Sequence, residues 1–234
     1  MTALPLVSLH GVTKRYWTKA AVDDLTLEVP RGVIVGVLGP NGSGKSTLLR
    51  LMAGLLRPTR GRVLLEGRPH SVASRAAVAF MPEVDHLYGW MTVAETLRFC
   101  EAAFADWEGA RATALCEFLR LEPRERVARL SKGQRTRLRL IPTLARKAPL
   151  VILDEPLSGI DVPSRNRIVE AILREFRLGE QTIVLATHEL PETESIFDQL
   201  ILMEHGRVKL HGEAEALRAE HSRSLQHLLE EVYP

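Results

Sequence analysis

The sequence predicts an α/β fold in which helices flank a sheet and a helical segment is inserted between two of its strands. Short β-type runs alternate with helix-type segments along most of the chain, which is typical of such folds. Several of the β-type runs are almost continuously apolar, as expected of strands that are covered on both faces. Between about residue 85 and residue 147 the alternation stops and helix-type segments alone remain. A helical stretch of this length inside an alternating pattern indicates a subdomain.

Eight runs are predicted to be strands. In chain order they are LVSLHGV (6–12), LTLEV (25–29), VIVGVLG (33–39), RVLLEG (62–67), VAFM (78–81), LVILDE (150–155), TIVLAT (182–187) and QLILME (199–204). The helix-type segments outside the insertion cover residues 45–55, 163–177, 213–220 and 222–232, and those inside it cover residues 93–104, 107–121 and 133–147. After residue 188 the pattern leaves about one small pair of strands and two helices.

The composition is that of an ordinary globular protein and argues against several functional classes. Hydrophobic residues make up 45% of the 234 residues and charged residues 26%, so the chain is able to bury a core and disorder is not indicated. The formal net charge of +2 gives no general field for binding nucleic acid. The N-terminal residues lack a secretory pattern, and no run of about 18 apolar residues predicts a membrane span. Cys100 and Cys116 match no metal-ligand spacing and are expected to be buried or half-buried thiols.

The motif GPNGSGKST at residues 39–47 fits GxxxxGK[ST], a pattern typical of phosphate-binding loops. Its glycines allow successive amide N–H groups to face a phosphate, and the N-terminus of the following helix points at the same charge. Lys45 is placed to reach the β- and γ-phosphates and the Ser46 hydroxyl to bind Mg²⁺. A strand leads in and a helix leads out, so a glycine-rich turn without a ligand is the weaker alternative. The predicted nucleotide-binding residues are Gly39, Pro40, Asn41, Gly42, Ser43, Gly44, Lys45, Ser46 and Thr47.

The run LVILDEP supplies a second part of the same site. Its strand ends at Asp154, and ligands of open α/β sheets bind at the carboxyl ends of the strands. Asp154 is predicted to hold Mg²⁺ through water or through Ser46. Glu155 is predicted to orient and polarise a water molecule against the γ-phosphate. An acidic cap in the turn before Pro156 is the alternative, and the phosphate loop makes it the weaker one.

A third motif, RLSKGQRTRLRL at residues 129–140, combines a serine, a glycine and the start of a helix. Such a combination forms a concave group of N–H donors that is able to face an anion. The alternative is a serine-capped helix with an arginine-rich solvated face, because Arg135 and Arg139 lie on one side at i, i+4. That alternative explains the arginines well. It does not explain why the segment precedes a strand that ends in Asp154 and Glu155.

The order of these motifs resembles the nucleotide-binding domain of ATP-binding cassette proteins, from about residue 7 to residue 217. The motifs are the phosphate loop, the short loop at residues 80–84, the signature at residues 130–134, LVILDEP, SGID and a histidine in LATHE. The resemblance implies a P-loop NTPase core with an antiparallel β subdomain and the inserted α-helical subdomain. It divides the single domain, residues 1–234, into a core with β subdomain (1–84 and 148–234) and a helical subdomain (85–147).

The resemblance also implies a head-to-tail dimer that encloses two ATP molecules, each bound with Mg²⁺. Ser131, Gly133 and Gln134 of the signature would then contact the γ-phosphate held by the other subunit. Asp161 would lie in the loop that joins the two sites. His188 would bond the γ-phosphate of its own subunit, and its place after the strand TIVLAT makes this stronger than a surface or capping role.

Tyr16, with Trp17 beside it, matches the aromatic residue that stacks on adenine in the family. A core aromatic residue in an edge strand is a serious alternative for either of them.

Two residues depart from the family pattern. The signature is usually LSGGQ, and here its third position is Lys132, which either attracts the γ-phosphate or points into solvent. Glu83 stands where a glutamine is usual. A glutamate keeps an oxygen for Mg²⁺ or its water but, when ionised, loses the amide donor, and it adds a negative charge near Asp154 and Glu155. We expect Glu83 to remain a metal-linked residue and hydrolysis to continue.

The segment MPEVDHLYGWMTVAETLRF is similar to ATP-binding subunits of ABC-2-type exporters, where a glutamate in this loop is familiar. The resemblance implies a second ABC subunit, identical or not, and separate membrane permeases as partners. Those permeases insert a coupling helix beside this loop and the helical subdomain. It further implies a cytoplasmic location, peripheral on the inner face of the cell membrane through the permease.

The alternatives are other ATPases with the same cassette. A translation ATPase would normally carry two cassettes, and this chain has a single phosphate loop. A chromosome or repair ATPase would need a long heptad region between Glu83 and Ser131, where sustained heptads are lacking. A soluble or regulatory cassette that is not coupled to transport remains open. The leucine stripe Leu225, Leu228 and Leu229 is expected to pack on its own domain, with a dimer contact as the alternative.

Overall fold

The computed structural model describes residues 4–188 and 193–221 and confirms the predicted fold class. Within these residues the strands form one antiparallel sheet of four strands and one largely parallel sheet of six. Apolar clusters pack on both faces of the larger sheet, and the smaller sheet shares one of them. The predicted helix at residues 222–232 and the leucine stripe lie outside the described residues.

The smaller sheet has the strand order β2-β1-β4-β5. Its strands are β1 (Val7–Tyr16), β2 (Lys19–Val29), β4 (Arg60–Leu65) and β5 (Arg68–Pro69). Leu65 pairs with Arg68 across a two-residue turn in which Glu66 (φ 52°) and Gly67 (φ 74°) both have positive φ. Such turns match the twist of the strands that they join. β4 therefore ends at Leu65, two residues before the predicted end.

The larger sheet has the strand order β10-β9-β3-β8-β7-β6. Its strands are β3 (Ile34–Leu38), β6 (Val78–Met81), β7 (Leu150–Asp154), β8 (Thr182–Thr187), β9 (Gln199–Glu204) and β10 (Arg207–Glu213). All neighbouring pairs are parallel except β9 and β10. β3, β7 and β8 are buried along their whole length, as their continuous apolar sequences predict. The carboxyl ends of β3, β6, β7 and β8 consequently meet at one edge of the sheet.

Six helices lie in the described part of the chain, close to the predicted segments but mostly shorter. They are α1 (Lys45–Met52), α2 (Val93–Ala103), α3 (Gly109–Phe118), α4 (Lys132–Leu144), α5 (Val162–Glu175) and α6 (Ala214–His221). α1 ends early because Gly54 takes φ 68° and the N–H groups of Gly54 and Leu55 return to the carbonyls of Leu51 and Arg50. This is the usual glycine termination of a helix.

The helices α2, α3 and α4 lie between β6 and β7 in the chain, as the all-helix texture predicts. α4 packs against α3, α5 and β6, so it contacts both the inserted helices and the main sheet. The division at residues 85 and 147 stays a prediction. None of the helices in the residues described here combines the length and the apolar character that crossing a bilayer requires.

The sequence reading missed the first half of β2, which begins at Lys19 rather than at residue 25. Tyr16 pairs with Lys19 around Trp17, which takes φ 52°. Hairpin turns with positive φ usually carry glycine or asparagine, so a tryptophan gives no turn signal.

The cysteines agree with expectation: both thiols are free, Cys116 is buried, and burial raises the pKa of the half-buried Cys100 to about 11.

Candidate nucleotide-binding site

Residues 39–44 form the loop between β3 and α1, which turns sharply at its end, and residues 45–47 begin α1. Gly44 is the N-cap of α1 with φ 107°, and a Cβ atom at this position would collide with the carbonyl oxygen of Ala21. Only glycine tolerates both conditions. The loop curls back on the Lys45 side chain, whose Nζ donates to the carbonyl oxygens of Gly39 (2.8 Å) and Pro40 (3.2 Å). The buried ammonium group is thereby held inside the loop.

The ends of β7 and β8 bring three more predicted residues to this loop. The Ser46 hydroxyl donates to Oδ1 of Asp154 at 2.9 Å. Oε1 of Glu155 lies 3.4 Å from Nζ of Lys45, and its Oε2 lies 2.8 Å from Nδ1 of His188. We call residues 39–47 with Asp154, Glu155 and His188 the phosphate-loop half of the site.

Glu155 is held in a backbone conformation that non-glycine residues rarely adopt. Its φ is 50°, directly after the last residue of β7. Such a conformation costs on the order of 1–3 kcal/mol and persists where the surroundings enforce it. Here the Glu155 N–H donates to the carbonyl of Ala186 on β8, and the side chain ends between Lys45 and His188. The strained turn thus directs a carboxylate into the site.

Asp154 is fully buried, and its environment disfavours the charged form. Burial raises the pKa of the Asp154 carboxyl, and the negative charges of Glu83 and Glu155 add to the rise. The hydrogen bond from Ser46 and the charge of Arg50 act in the opposite direction. Its Oδ2 has no hydrogen-bond partner among the described residues. An acceptor buried without a partner is costly, and a bound cation would satisfy it.

Lys45, Glu155 and His188 face a cavity of about 530 Å³, a size suited to a small ligand, whereas the buried Asp154 is not in its lining. Its lining includes six of the nine predicted loop residues together with Tyr16, Glu83, Glu155 and His188. The lining residues are Tyr16, Lys19, Ala21, Asn41, Gly42, Gly44, Lys45, Ser46, Thr47, Glu83, Glu155, Ser158 and His188. Nearly all of the side chains predicted for one subunit's nucleotide site therefore come together.

The two neighbouring aromatic residues differ sharply in position. Tyr16 is 43% exposed and lines the cavity, whereas Trp17 is 100% exposed and is not part of the lining. The alternative that either is a core aromatic residue of an edge strand is therefore wrong. An exposed ring at the mouth of a polar cavity is available for stacking on a flat ligand.

Glu83 lies just beyond β6, the outer strand of the larger sheet, and is exposed. It lines the main cavity and also a second cavity of about 400 Å³. The second cavity is bounded on the other side by α4 through Lys132, Arg135, Thr136 and Arg139. Glu83 thus stands between the phosphate loop and the helix that follows the signature.

The signature residues are arranged differently and form what we call the signature half, Ser131, Gly133 and Asp161. Ser131 is exposed and caps α4: its hydroxyl accepts from the Gln134 N–H at 3.2 Å, and Oε1 of Gln134 accepts from the Ser131 N–H at 2.9 Å. Asp161 caps α5 by accepting from the Ser164 N–H at 3.1 Å. Hydrogen bonds from Ser164, chiefly from its side chain, hold the pKa of the Asp161 carboxyl low. None of these residues lines the main cavity in the part of the chain described here.

Lys132 lies over a loop of its own subunit. Its amine occupies the space where a Cβ atom at Gly159 would lie, in the SGID loop that leads to Asp161. Lys132 is exposed and also lines the second cavity with Glu83 and Glu155, so both predicted orientations, toward phosphate and into solvent, stay open.

The interpretation of Arg135 and Arg139 as a solvated arginine face is wrong for Arg139. Arg139 is only 7% exposed, and its Nη2 donates to the carbonyl oxygens of Pro82 and Glu83, the latter at 2.9 Å. Arg135 remains half-buried and pairs with Asp85 at 2.5 Å. Sequence spacing placed the two arginines on one side of α4. It gave no signal that the loop after β6 covers one of them.

The arrangement is chemically suited to a triphosphate. Backbone N–H groups at the start of α1 and the Lys45 ammonium are suited to binding phosphate oxygens, and the Ser46 and Asp154 oxygens suit a hard divalent cation. Glu155 is a carboxylate in reach of the same cavity, held by two polarising partners, and is suited to accept a proton from water.

Comparison with known proteins agrees with this chemistry. The profile of the family described as ABC transporter matches residues 22–158. The Nod factor export ATP-binding protein I of Bradyrhizobium diazoefficiens is 37% identical over 223 residues, which cover 92% of this chain and 72% of that protein. The protein of the same name from Rhizobium meliloti is 39% identical over 228 residues, covering 92% and 67%.

Solved structures show the same fold. An ATP-binding subunit of an ABC transporter superposes with a TM-score of 0.85 at 29% identity, over 98% of this chain and 100% of that one. A dimeric bacterial ABC transporter cassette superposes with a TM-score of 0.79 at 23% identity, over 89% and 98%. With the phosphate loop, Asp154, Glu155 and His188 assembled around one cavity, these matches show that the chain belongs to the ABC transporter family as one of its ATP-binding, ATP-hydrolysing subunits.

Proposed function

We propose that this protein is the MgATP-hydrolysing subunit of an exporter and that it dimerises on ATP to drive a separate membrane permease. One observation carries the proposal. Ser46, Asp154, Lys45, Glu155 and His188, which come from three distant parts of the chain, are already joined by contacts of 2.8–3.4 Å around one cavity. A protein that only bound the nucleotide would not need the strained Glu155.

Mg²⁺ fits the residues at this site. Asp154 presents the buried Oδ2 that lacks a partner among the described residues, and Ser46 presents a hydroxyl oxygen beside it. Mg²⁺ is commonly held by one or two protein oxygens, with substrate phosphates and water completing its shell. When bound it would neutralise charge on the β- and γ-phosphates. Glu83, which lines the same cavity, is proposed as a further oxygen ligand or as a ligand of its water.

The remaining roles follow from the contacts. Lys45 and the loop amides bind the β- and γ-phosphates, and the exposed ring of Tyr16 stacks on the base. Glu155 accepts the proton of the attacking water at its carboxylate. His188 holds Oε2 of Glu155 at 2.8 Å and lines the cavity, so it orients both the base and the γ-phosphate. The strained φ of Glu155 fixes this carboxylate before the substrate arrives.

The signature half is proposed to bind the ATP of a second subunit. Ser131 is exposed and caps α4, a helix of thirteen residues. Together with the amide groups at the start of this helix it forms a terminus that is suited to binding an anion. Ser131 and Gly133 lie outside the cavity of their own subunit, so they need a second chain to reach a nucleotide. The solved dimeric cassette with the same fold supports this arrangement. Asp161, at the start of α5, then lies beside the interface, and Gln134 stabilises the helix terminus.

The exporter class is supported by the relatives, whose name describes export of Nod factor. The permease is proposed to contact the loop after Glu83 and the helical subdomain. There Tyr88 and Trp90 are exposed with ring centres 5.8 Å apart, and the exposed Phe99 adjoins Tyr88. This contact would place the protein at the cytoplasmic face of the membrane, and cargo selection would belong to the permease.

Dimerisation of Glu155→Gln tests the proposal. The variant is expected to bind MgATP without hydrolysing it, and light scattering should show the mass rise from the monomer value of 26.1 kDa to twice that value. Adding Ser131→Arg to the same chain should keep ATP binding and abolish the dimer, because the added side chain fills the surface that receives the second nucleotide. A Glu155→Gln protein that stays monomeric at saturating MgATP would contradict a dimer of two identical subunits. One that fails to bind ATP would contradict the site itself.

A further inference from the structure

Two buried arginines hold the two ends of β6. Arg139, in α4, donates to the carbonyl oxygens of Pro82 and Glu83 just after the strand. Arg146, just after α4, donates to the carbonyl oxygens of Val78 (2.9 Å) and Ala76 at its start. Both are less than 8% exposed. The two ends of β6 differ in position, since Glu83 lines the nucleotide cavity and Ala76 does not.

Stability alone does not explain why Arg139 is an arginine. Burial lowers the pKa of its guanidinium, so the charge is held at a cost, although the negative charges of Asp85, Glu83 and Asp154 reduce that cost. Its Nε has no hydrogen-bond partner in the described residues. A buried donor without a partner is destabilising, so it offsets part of what the two carbonyl contacts contribute to stability. Arg146, by contrast, also pairs its Nε with Asp106 at 2.9 Å and 3.2 Å.

What Arg139 does provide is a fixed path for the backbone at Glu83. One guanidinium nitrogen donates to two consecutive peptide carbonyls, those of Pro82 and Glu83. The backbone is therefore held at the residue whose side chain lines the cavity. The side chain of Glu83 is exposed, and no ion pair to a lysine or arginine holds it among the described residues. Its direction therefore depends on where the backbone is held. Arg139, which holds this backbone, lies on α4, the helix that is capped by the signature residue Ser131 and carries Gly133 in its first turn.

We propose that Arg139 is a positioning residue for Glu83, which fixes the loop after β6 so that the Glu83 carboxylate faces the nucleotide cavity. The same contact ties that loop to α4, so the carboxylate and the signature half move together. The inference rests on the proposed role of Glu83 at the Mg²⁺ site. It assigns to Arg139 no contact with nucleotide or metal.

The experiment measures MgATP hydrolysis as a function of free Mg²⁺ for the full chain and its variants. Arg139→Met removes both carbonyl contacts. It should raise the half-saturating Mg²⁺ concentration about tenfold and lower kcat, because hydrogen bonds from a charged group have roughly this value. Arg139→Lys keeps a cation and one donor, and its shift should be about threefold. Binding of a fluorescent ATP analogue without Mg²⁺ should be unchanged in both variants.

Arg146→Met is the matched control, since it removes a buried arginine from the other end of the same strand. It should lower the unfolding temperature at least as much as Arg139→Met and leave the Mg²⁺ dependence unchanged. If Arg146→Met shifts the Mg²⁺ dependence as much as Arg139→Met does, loosening of β6 is the cause and the inference is wrong.

A double-variant cycle with Glu83→Ala separates positioning from other effects. If Arg139 acts through Glu83, its substitution should no longer shift the Mg²⁺ dependence once the carboxylate is gone. An equal shift in the Glu83→Ala background would overturn the inference. If Arg139→Met does not fold, Arg139→Lys carries the same cycle with its smaller shift. If the unsubstituted protein shows no Mg²⁺-dependent hydrolysis, the proposed function is contradicted instead. Failure of the inference and failure of the proposed function are therefore distinguishable.

Discussion

The two halves of the composite site are built in opposite ways. In the phosphate-loop half, Lys45, Asp154 and Glu155 are buried. Lys45 pairs with Glu155, which also contacts His188, and Asp154 accepts a hydrogen bond from Ser46. In the signature half, Ser131 and Asp161 are exposed, and their side chains satisfy the N–H groups of their own helices. One half is organised before any ligand arrives. The other is an exposed surface, and in the described part of the chain its residues do not line the main cavity.

The two halves therefore contribute differently to the stability of the folded protein. Bringing buried charges together disfavours the folded protein unless a ligand compensates, and the raised pKa of Asp154 is a sign of this. Capping a helix stabilises the protein and leaves the surface ready for a partner. Substitutions in the phosphate-loop half should therefore affect chemistry far more than stability. Those in the signature half should affect both stability and chemistry, and chemistry only through the second subunit.

The largest expected effect is that of Glu155→Gln on hydrolysis. The amide keeps the shape and a contact with His188 but does not accept the proton of water, so the rate should fall by a factor of about 10²–10⁴. ATP affinity should change by less than about threefold, because the loop amides and Lys45 remain. Single-turnover hydrolysis and equilibrium binding of a fluorescent ATP analogue measure the two quantities. A rate within a few-fold of the unsubstituted protein would remove Glu155 from the role of base.

Ser131→Ala should have an intermediate effect, which has two parts, one on stability and one on hydrolysis. Loss of the capping box should lower the free energy of unfolding by about 1 kcal/mol. Loss of the hydroxyl at the partner's phosphate should lower hydrolysis about tenfold, the usual value of a hydrogen bond to a charged group.

Thr92→Ala is the matched control, because Thr92 and Glu95 form the same capping box at the start of α2, away from the nucleotide. It should lose the same stability in urea unfolding and keep full hydrolysis. If both variants lose activity equally, Ser131 has only a structural role.

Asp154→Asn should stabilise the nucleotide-free protein by about 1 kcal/mol at neutral pH, since it removes a buried charge and keeps the bond from Ser46. The pKa of Asp154 is raised on folding, so its ionisation opposes folding as pH rises through that value. The gain should therefore shrink as pH falls below it, where the unsubstituted carboxyl is already protonated.

Asp161→Asn should have the opposite sign. The bond from Ser164 lowers the pKa of Asp161, so its ionised form stabilises the fold at neutral pH and the loss on substitution should fade toward acid. Thermal unfolding of both variants between neutral and acidic pH measures the contrast. If both substitutions change stability in the same direction, the contrast drawn between the phosphate-loop half and the signature half is wrong.

Glu83→Gln should have the smallest effect. The amide keeps one oxygen and removes a negative charge, so hydrolysis should continue while the half-saturating Mg²⁺ concentration rises by about two- to threefold. Asp85→Asn, in the same loop but paired with Arg135, is the control and should leave the Mg²⁺ dependence unchanged. If Glu83→Gln changes neither turnover nor Mg²⁺ dependence, a metal-linked role for Glu83 is excluded.

Much of the site was predictable because its residues occupy fixed places in local motifs. The strand before residue 39 and the helix after it require the loop between them, and a strand that ends at Asp154 must deliver it to the same edge of the sheet. The caps at Ser131 and Asp161 are likewise local. The hairpin at Trp17 was missed because its turn uses a residue with no turn preference.

The sequence by itself determined the α/β fold, the family and the chemistry at the phosphate loop, because each depends on residues that are near one another in the chain or on strand ends that share one edge. Only the tertiary structure decided which member of a pair faces the cavity or is buried. Tyr16 rather than Trp17 faces the cavity, and Arg139 rather than Arg135 is enclosed by the loop at Glu83. Burial of a side chain depends on the segment that packs over it, and for Arg139 that segment lies more than fifty residues away in the chain.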